Sequence, residues 1–403
     1  MILVYSFFGY LVPNSWQAFV ITSSCMYLII KSVMGGGIIR LKRHWVFALL
    51  IVFILLLLVT SSTSENQRSI WMAITTSSIL SIGISLSAQS GWADSCLKYL
   101  LLFSLVHALF TVFSAAVPGI FSSVVLPLLP NEVSKESAAF LSKNLFAGIT
   151  DQIGRNSIYL SVGMSVLVSR LVCQRSKYKI YGLLLCLMML ALLLTGKRGP
   201  LLSNLLATIV TIGIYTKGQG KSVIKKIFYF VIIATLLVWV LTLILPDAAA
   251  PFLRFVEKAD EGDLTSGRLD LYIAAIGLFL QKPILGWGLE YFSLSYDIGV
   301  HNVFLQLLCE TGILGTLFFV SILVTNLVTT VKTVKLNCIS RDRYYDWPLL
   351  FSLYLQIFYC SYCMTGNPFS DRFILVIYML AMAIPYAQVA SGRSLIMNNR
   401  EST

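Results

Sequence analysis

The chain has 403 residues, of which 57% are hydrophobic and 12% charged, and its mean hydropathy is +0.82. Soluble domains carry about 25% charged residues, so this composition excludes a soluble globular protein and fits a chain built for lipid. The formal net charge of +12 suggests a polyanion-binding surface only until its distribution along the chain is read.

Apolar runs lie near 3–30, 45–60, 70–88, 99–117, 156–169, 180–194, 201–215, 227–245, 303–331, 347–364 and 373–390. They predict a polytopic bundle of about eleven membrane-spanning helices. Pro13-Asn14 can split the first run into a short hairpin, which raises the number to twelve. No basic segment precedes that run, so it reads as a span and not as a cleaved signal. Alternate connections carry nineteen basic residues against four acidic, among them Arg40, Lys42, Arg43, Arg175, Lys177, Lys179, Lys225, Lys226, Arg341 and Arg343. The remaining connections hold eleven basic residues against thirteen acidic. This is the positive-inside pattern, and it excludes a nucleic-acid surface. It predicts an outer N-terminus, or an inner one if the hairpin forms, and a cytoplasmic C-terminus.

Two outer connections are long. In the first, 118–155, Asn131 to Lys143 reads as a short amphipathic helix on the surface. The second, 246–302, passes through the acidic run Glu257, Asp260, Glu261, Asp263 and reaches Ser266-Gly267-Arg268. Leu269, Ile273, Ile276 and Leu280 then recur at helical spacing, which predicts an amphipathic helix over 267–281 with Thr265 or Ser266 as its cap. Lys282-Pro283 ends that helix and Gly286-Trp287-Gly288 turns the chain toward His301-Asn302. A loop of that length in a compact membrane protein is usually functional.

The residues able to do chemistry gather on that outer side. His44 reads as an interfacial residue and His107, inside a span, as a hydrogen-bonded packing residue. His301 stands apart, because it opens a helix whose positive end favours the neutral, proton-accepting imidazole. Alone it is equally well an interfacial cap. Lys197 and Arg198 lie in the tight turn Thr195-Gly196-Lys197-Arg198-Gly199-Pro200, at the start of the next helix. Cations there oppose the helix dipole, and an anionic ligand resolves the conflict; snorkelling to lipid headgroups is the other reading. Arg268 shows the same conflict, though Asp263 or Asp270 can pair with it. Arg155 is a further cation at a helix start, and Glu310 lies about 14 Å below His301 at 1.5 Å per residue. An intramembrane carboxylate has either a function or a structural partner. Cys360 and Cys363 form a CxxC with no second pair of ligands, and read as packing residues.

Lys282-Pro283-Ile284-Leu285-Gly286-Trp287-Gly288, then His301-Asn302-Val303-Phe304-Leu305-Gln306 and Glu310-Thr311-Gly312-Ile313-Leu314-Gly315, resemble the signature of the O-antigen ligase and polymerase superfamily. Thr195-Gly196-Lys197-Arg198-Gly199 and Ser266-Gly267-Arg268-Leu269 resemble that family's arginine motifs, in the same order along the chain. The likeness covers about 195–320, within what reads as a single polytopic domain of 1–403. The resemblance implies an all-α integral membrane protein of the GT-C type in the bacterial inner membrane, with its large loop outside. It implies a metal-independent glycosyltransferase with no cofactor, moving a glycan from an undecaprenyl-pyrophosphate carrier to an acceptor hydroxyl on a glycan or lipid-linked partner. Arg198 and Arg268 are then expected to hold the diphosphate and His301 to handle the acceptor proton, with Lys197, Arg155, Asn302 and Glu310 as substrate-binding residues. Polymerase is preferred over ligase, because nothing specifies a lipid A core acceptor. A transporter or flippase of lipid-linked glycans is the alternative from another class; it predicts internal repeats, and none is visible.

Overall fold

The computed structural model describes residues 2–34, 44–64, 66–173, 177–218, 268–340 and 346–388. The predicted span 227–245, the acidic run Glu257 to Asp263 and the proposed cap at Thr265 or Ser266 lie outside these residues. The described residues are helical throughout. In chain order the helices are α1 (Ile2–Phe8), α2 (Asn14–Met34), α3 (Trp45–Ser62), α4 (Gln67–Ser87), α5 (Ala93–Ala116), α6 (Asn131–Leu141) and α7 (Ile153–Cys173). They continue with α8 (Tyr178–Leu194), α9 (Arg198–Gly218), α10 (Leu269–Gln281), α11 (Tyr291–Tyr296), α12 (Val303–Ser340), α13 (Asp346–Tyr362) and α14 (Arg372–Gln388). Among the described residues, α3, α4, α5, α7, α9 and α12 are long and apolar enough to cross a membrane. The protein is a multi-pass helical membrane protein.

Ten of the eleven apolar runs coincide with described helices. The first is broken, as Pro13 dictates: α1 and a 3-10 turn, Gly9–Leu11, precede α2. Those ten residues extend about 15 Å, half the hydrocarbon thickness, and they plug into the bundle instead of crossing it. Phe7 is fully buried and stacks on Tyr159, while Tyr159 Oη donates to Ser6 O at 2.7 Å. His107 closes the same contact, its Nε2 3.2 Å from Phe7 O, as a hydrogen-bonded packing residue.

The bundle centres on α7. Ser157, Ser161, Ser165 and Ser169 recur every fourth residue, all fully buried, with each hydroxyl turned back onto a carbonyl of its own helix. That leaves a smooth face of small residues against which α5, α8, α9 and α13 pack closely. At Gly163 a single methyl would sit 2.7 Å from Met188 and Ser104. Helix α3, by contrast, has a mean hydropathy of 2.7 against 1.3 for α7 and turns Ile51, Val52, Leu55 and Val59 outward. A span wholly enclosed by protein needs less lipid-like surface.

Contacts between the connections place 62–64, 66–67, 117–152, 195–197, 268–302 and 363–371 at one end of the bundle. Phe146 N donates to Leu194 O at 3.2 Å, Leu289 N to Ser61 Oγ at 3.3 Å, and Val303 N to Cys363 O at 2.8 Å. The two predicted surface helices form there: α6, which buries Val133 and Ser137, and α10, which buries Ala275.

Candidate functional site

The site starts from the turn between α8 and α9. Thr195 Oγ1 donates to Leu192 O at 2.7 Å and accepts from Lys197 N at 3.3 Å, and Gly196 takes φ 67°. A side chain at 196 would be strained in that left-handed conformation, so threonine and glycine together make the abrupt reversal that delivers Lys197 and Arg198 to the start of α9. Pro200, in the first turn, needs no amide partner. The rotation of α9 is set about 9 Å further down by Asn204. Its Nδ2 donates to Ser161 Oγ at 2.7 Å, and its Oδ1 accepts from Tyr354 Oη at 2.9 Å, binding α9 to α7 and α13.

A second component is the 362–371 turn between α13 and α14. Arg268, at the start of α10, donates from Nη1 to Thr365 O at 2.9 Å. Gly199 approaches the same turn so closely that a methyl there would lie 2.8 Å from Thr365 Oγ1 and 3.5 Å from Tyr362 Cε2. A methyl at Gly154 would be 3.9 Å from Lys197 Cε and 4.0 Å from Tyr362 Oη. The turn is thus a platform on which the arginine turn, the loop helix and the start of α7 meet. Neither Tyr362 nor Thr365 stands out in the sequence; a neutral tyrosine and threonine at a span end carry no signal of their own.

His301 enters from the loop. It lies in the left-handed region at φ 59°, two residues before the Val303 amide that bonds the platform. Such a conformation costs a non-glycine residue about 1 kcal/mol and is kept where surrounding structure over-determines it. Asn302 caps α12, its Oδ1 accepting from the amides of Phe304 and Leu305 at 3.0 and 3.2 Å. Partial burial, then the nearby Arg268 and Lys197, lower the His301 pKa from 6.5 to about 4. Burial and Arg268 likewise lower that of Lys197. The imidazole and both cations therefore share one electrostatic neighbourhood, beside the half-buried Arg198. Among the described residues no carboxylate forms an ion pair with Lys197 or Arg268.

Residues 182–320 match the family model described as O-Antigen ligase. The match covers about a third of the chain and includes α9, α10, the loop to His301 and the first half of α12. No curated protein matches the chain. The matched segment contains Lys197, Arg198, Arg268 and His301; the 362–371 turn, which Arg268 and the Val303 amide bond, lies beyond it. The other expected substrate-binding residues have intramolecular partners. Arg155 is paired with Asp151 and with Asp371, the latter at 2.9 Å, and its guanidinium lies 4.9 Å from the Phe373 ring centre. Glu310 is fully buried and accepts from Gln306 Nε2 at 3.2 Å.

Proposed function

We propose that the protein transfers or polymerises an undecaprenyl-pyrophosphate-linked oligosaccharide onto an acceptor hydroxyl at the outer face of the bacterial inner membrane, without a metal ion. The observation that carries this reading is the gathering of Lys197, Arg268 and a neutral His301 with no ion-paired carboxylate among the described residues. Arg268 lies close enough to lower the proton affinity of the half-buried Lys197; two like charges so placed call for an anion, and a diphosphate fits the span of several basic groups. The starts of α9, α10 and α12 add their positive ends.

In this reading the bond between the anomeric carbon and the diphosphate oxygen breaks as a bond from the acceptor oxygen forms. The departing diphosphate keeps the electron pair, and Lys197, Arg198 and Arg268 meet its added charge. The acceptor proton passes to a ring nitrogen of His301. Arg155 acts at a distance, bracing α7 against the start of α14.

The test is incubation of the purified chain with a lipid-linked oligosaccharide and a glycan acceptor, in the presence of a chelator. A lengthened or transferred glycan with release of undecaprenyl pyrophosphate is expected, and the product distinguishes polymerase from ligase. In sealed vesicles, movement of the carrier-linked glycan across the bilayer with its linkage intact would instead establish a transporter.

A further inference from the structure

Helix α12 is broken at Gly312, which has φ 65° and ψ −170°. In an unbroken helix the carbonyls of Cys309 and Glu310 would accept from the amides of residues 313 and 314. Here the outer loop takes those places. Trp287 N donates to Cys309 O at 3.1 Å, Gly288 N to Glu310 O at 2.8 Å, and Ile313 N to Pro283 O at 2.8 Å. The approach is close enough that a methyl at Gly286 would lie 2.6 Å from Glu310 O, and one at Gly312 would collide with Ile284 O. Trp287 is locked in turn, its Nε1 donating to Leu278 O at 2.9 Å and Lys282 Nζ lying 3.7 Å from a ring centre.

The Glu310 side chain completes this joint. Its carboxyl group accepts from Gln306 Nε2 at 3.2 Å and faces the backbone amides of Glu290 and Phe292. Gln306 Nε2 also reaches Ser370 Oγ at 2.8 Å, on the platform turn. Glu290, beside it, is itself left-handed at φ 60°. One buried carboxylate therefore joins three pieces: the loop at 290–292, the first half of α12, and the 363–371 turn. The loop so fixed runs on to His301, and through α10 it is continuous with Arg268.

We infer that Glu310 is a positioning residue, whose carboxylate fixes the loop backbone and thereby the placing of His301 against Arg268 and Lys197, and that it makes no contact with substrate. The effect on activity rests on the transferase reading above; the structural part does not.

The experiment is hydrogen–deuterium exchange on the full-length chain and its variants, with transfer kinetics alongside. In Glu310→Ala, amides in 286–292 are expected to exchange at least ~10-fold faster, while those of α7 are unchanged. Glu310→Gln, whose amide oxygen accepts from one or both of the same N–H groups, is expected to restore most of the protection. In the transfer assay Glu310→Ala is expected to lower kcat by roughly 10- to 100-fold with little change in KM, and Glu310→Gln to recover most of it. Should Glu310→Ala not fold, Glu310→Asp carries the same test: one methylene shorter, it loses reach, and exchange at 290–292 rises. Unchanged exchange over 286–292 in the variant that folds overturns the proposal. So does a raised KM with unchanged exchange, which would make Glu310 a substrate ligand. Normal loop protection effects in a chain without transfer activity would remove the transferase reading alone.

Discussion

At the scale of single residues, the cations and His301 were legible because charge is rare in this chain and conspicuous at helix starts. Arg155 looked the same in the sequence and behaves differently. One of its partners, Asp151, is four residues away and visible; the other, Asp371, is 216 residues away and can be found only in the fold. His301 yields a prediction with a definite sign. Burial, then Arg268 and Lys197, lower its pKa to about 4, so the unfolded chain binds the proton more tightly. Its contribution to stability is complete above about pH 6.5 and is lost as pH falls through about 4. A diphosphate seated on the two cations removes their share of the shift and raises the pKa. The chain has three histidines, so imidazole NMR can follow each one. His301 is expected to titrate near 4 in the free protein and higher with inorganic pyrophosphate present. Titration at 6.5 in both states would show that the cations do not surround it.

At the scale of elements, hydropathy located all ten runs that fall in the described residues, and Pro13 marked the break in the first. It could not rank the helices. Among the six long spans, helix α7 is the least hydrophobic and the most enclosed, because protein and not lipid surrounds its serine face. Nor could it show that α12 admits a loop at Gly312, since the bonds that replace the missing turn come from residues about 25 positions upstream. The Asn204 node is equally tertiary, and it tests how α9 is aimed. Asn204→Leu removes the bond from its Nδ2 to Ser161 Oγ and the one its Oδ1 accepts from Tyr354 Oη, and is expected to cost roughly 1–3 kcal/mol. The thermal midpoint in detergent should fall, and transfer activity should fall with it because Arg198 turns with the helix. An unchanged midpoint would mean that packing alone sets the rotation of α9.

At the scale of the whole molecule, the protein is a bundle whose connections at one end are stitched to one another through backbone amides, while the charges proposed to act come from widely separated segments. The sequence places Arg198, Arg268 and His301 on one predicted side through the positive-inside pattern. It gives no hint that the 362–371 turn meets Arg268, Gly199 and the Val303 amide. The account as a whole stands on their joint action, so the most direct measurement is the rate of glycan transfer from a lipid-linked donor by Arg198→Ala, Arg268→Ala and His301→Ala. Each is expected to retain less than about 1% of the parent rate, while Lys143→Ala, an exposed cation on the same end, retains nearly all of it. Full activity in the three site variants would contradict the account.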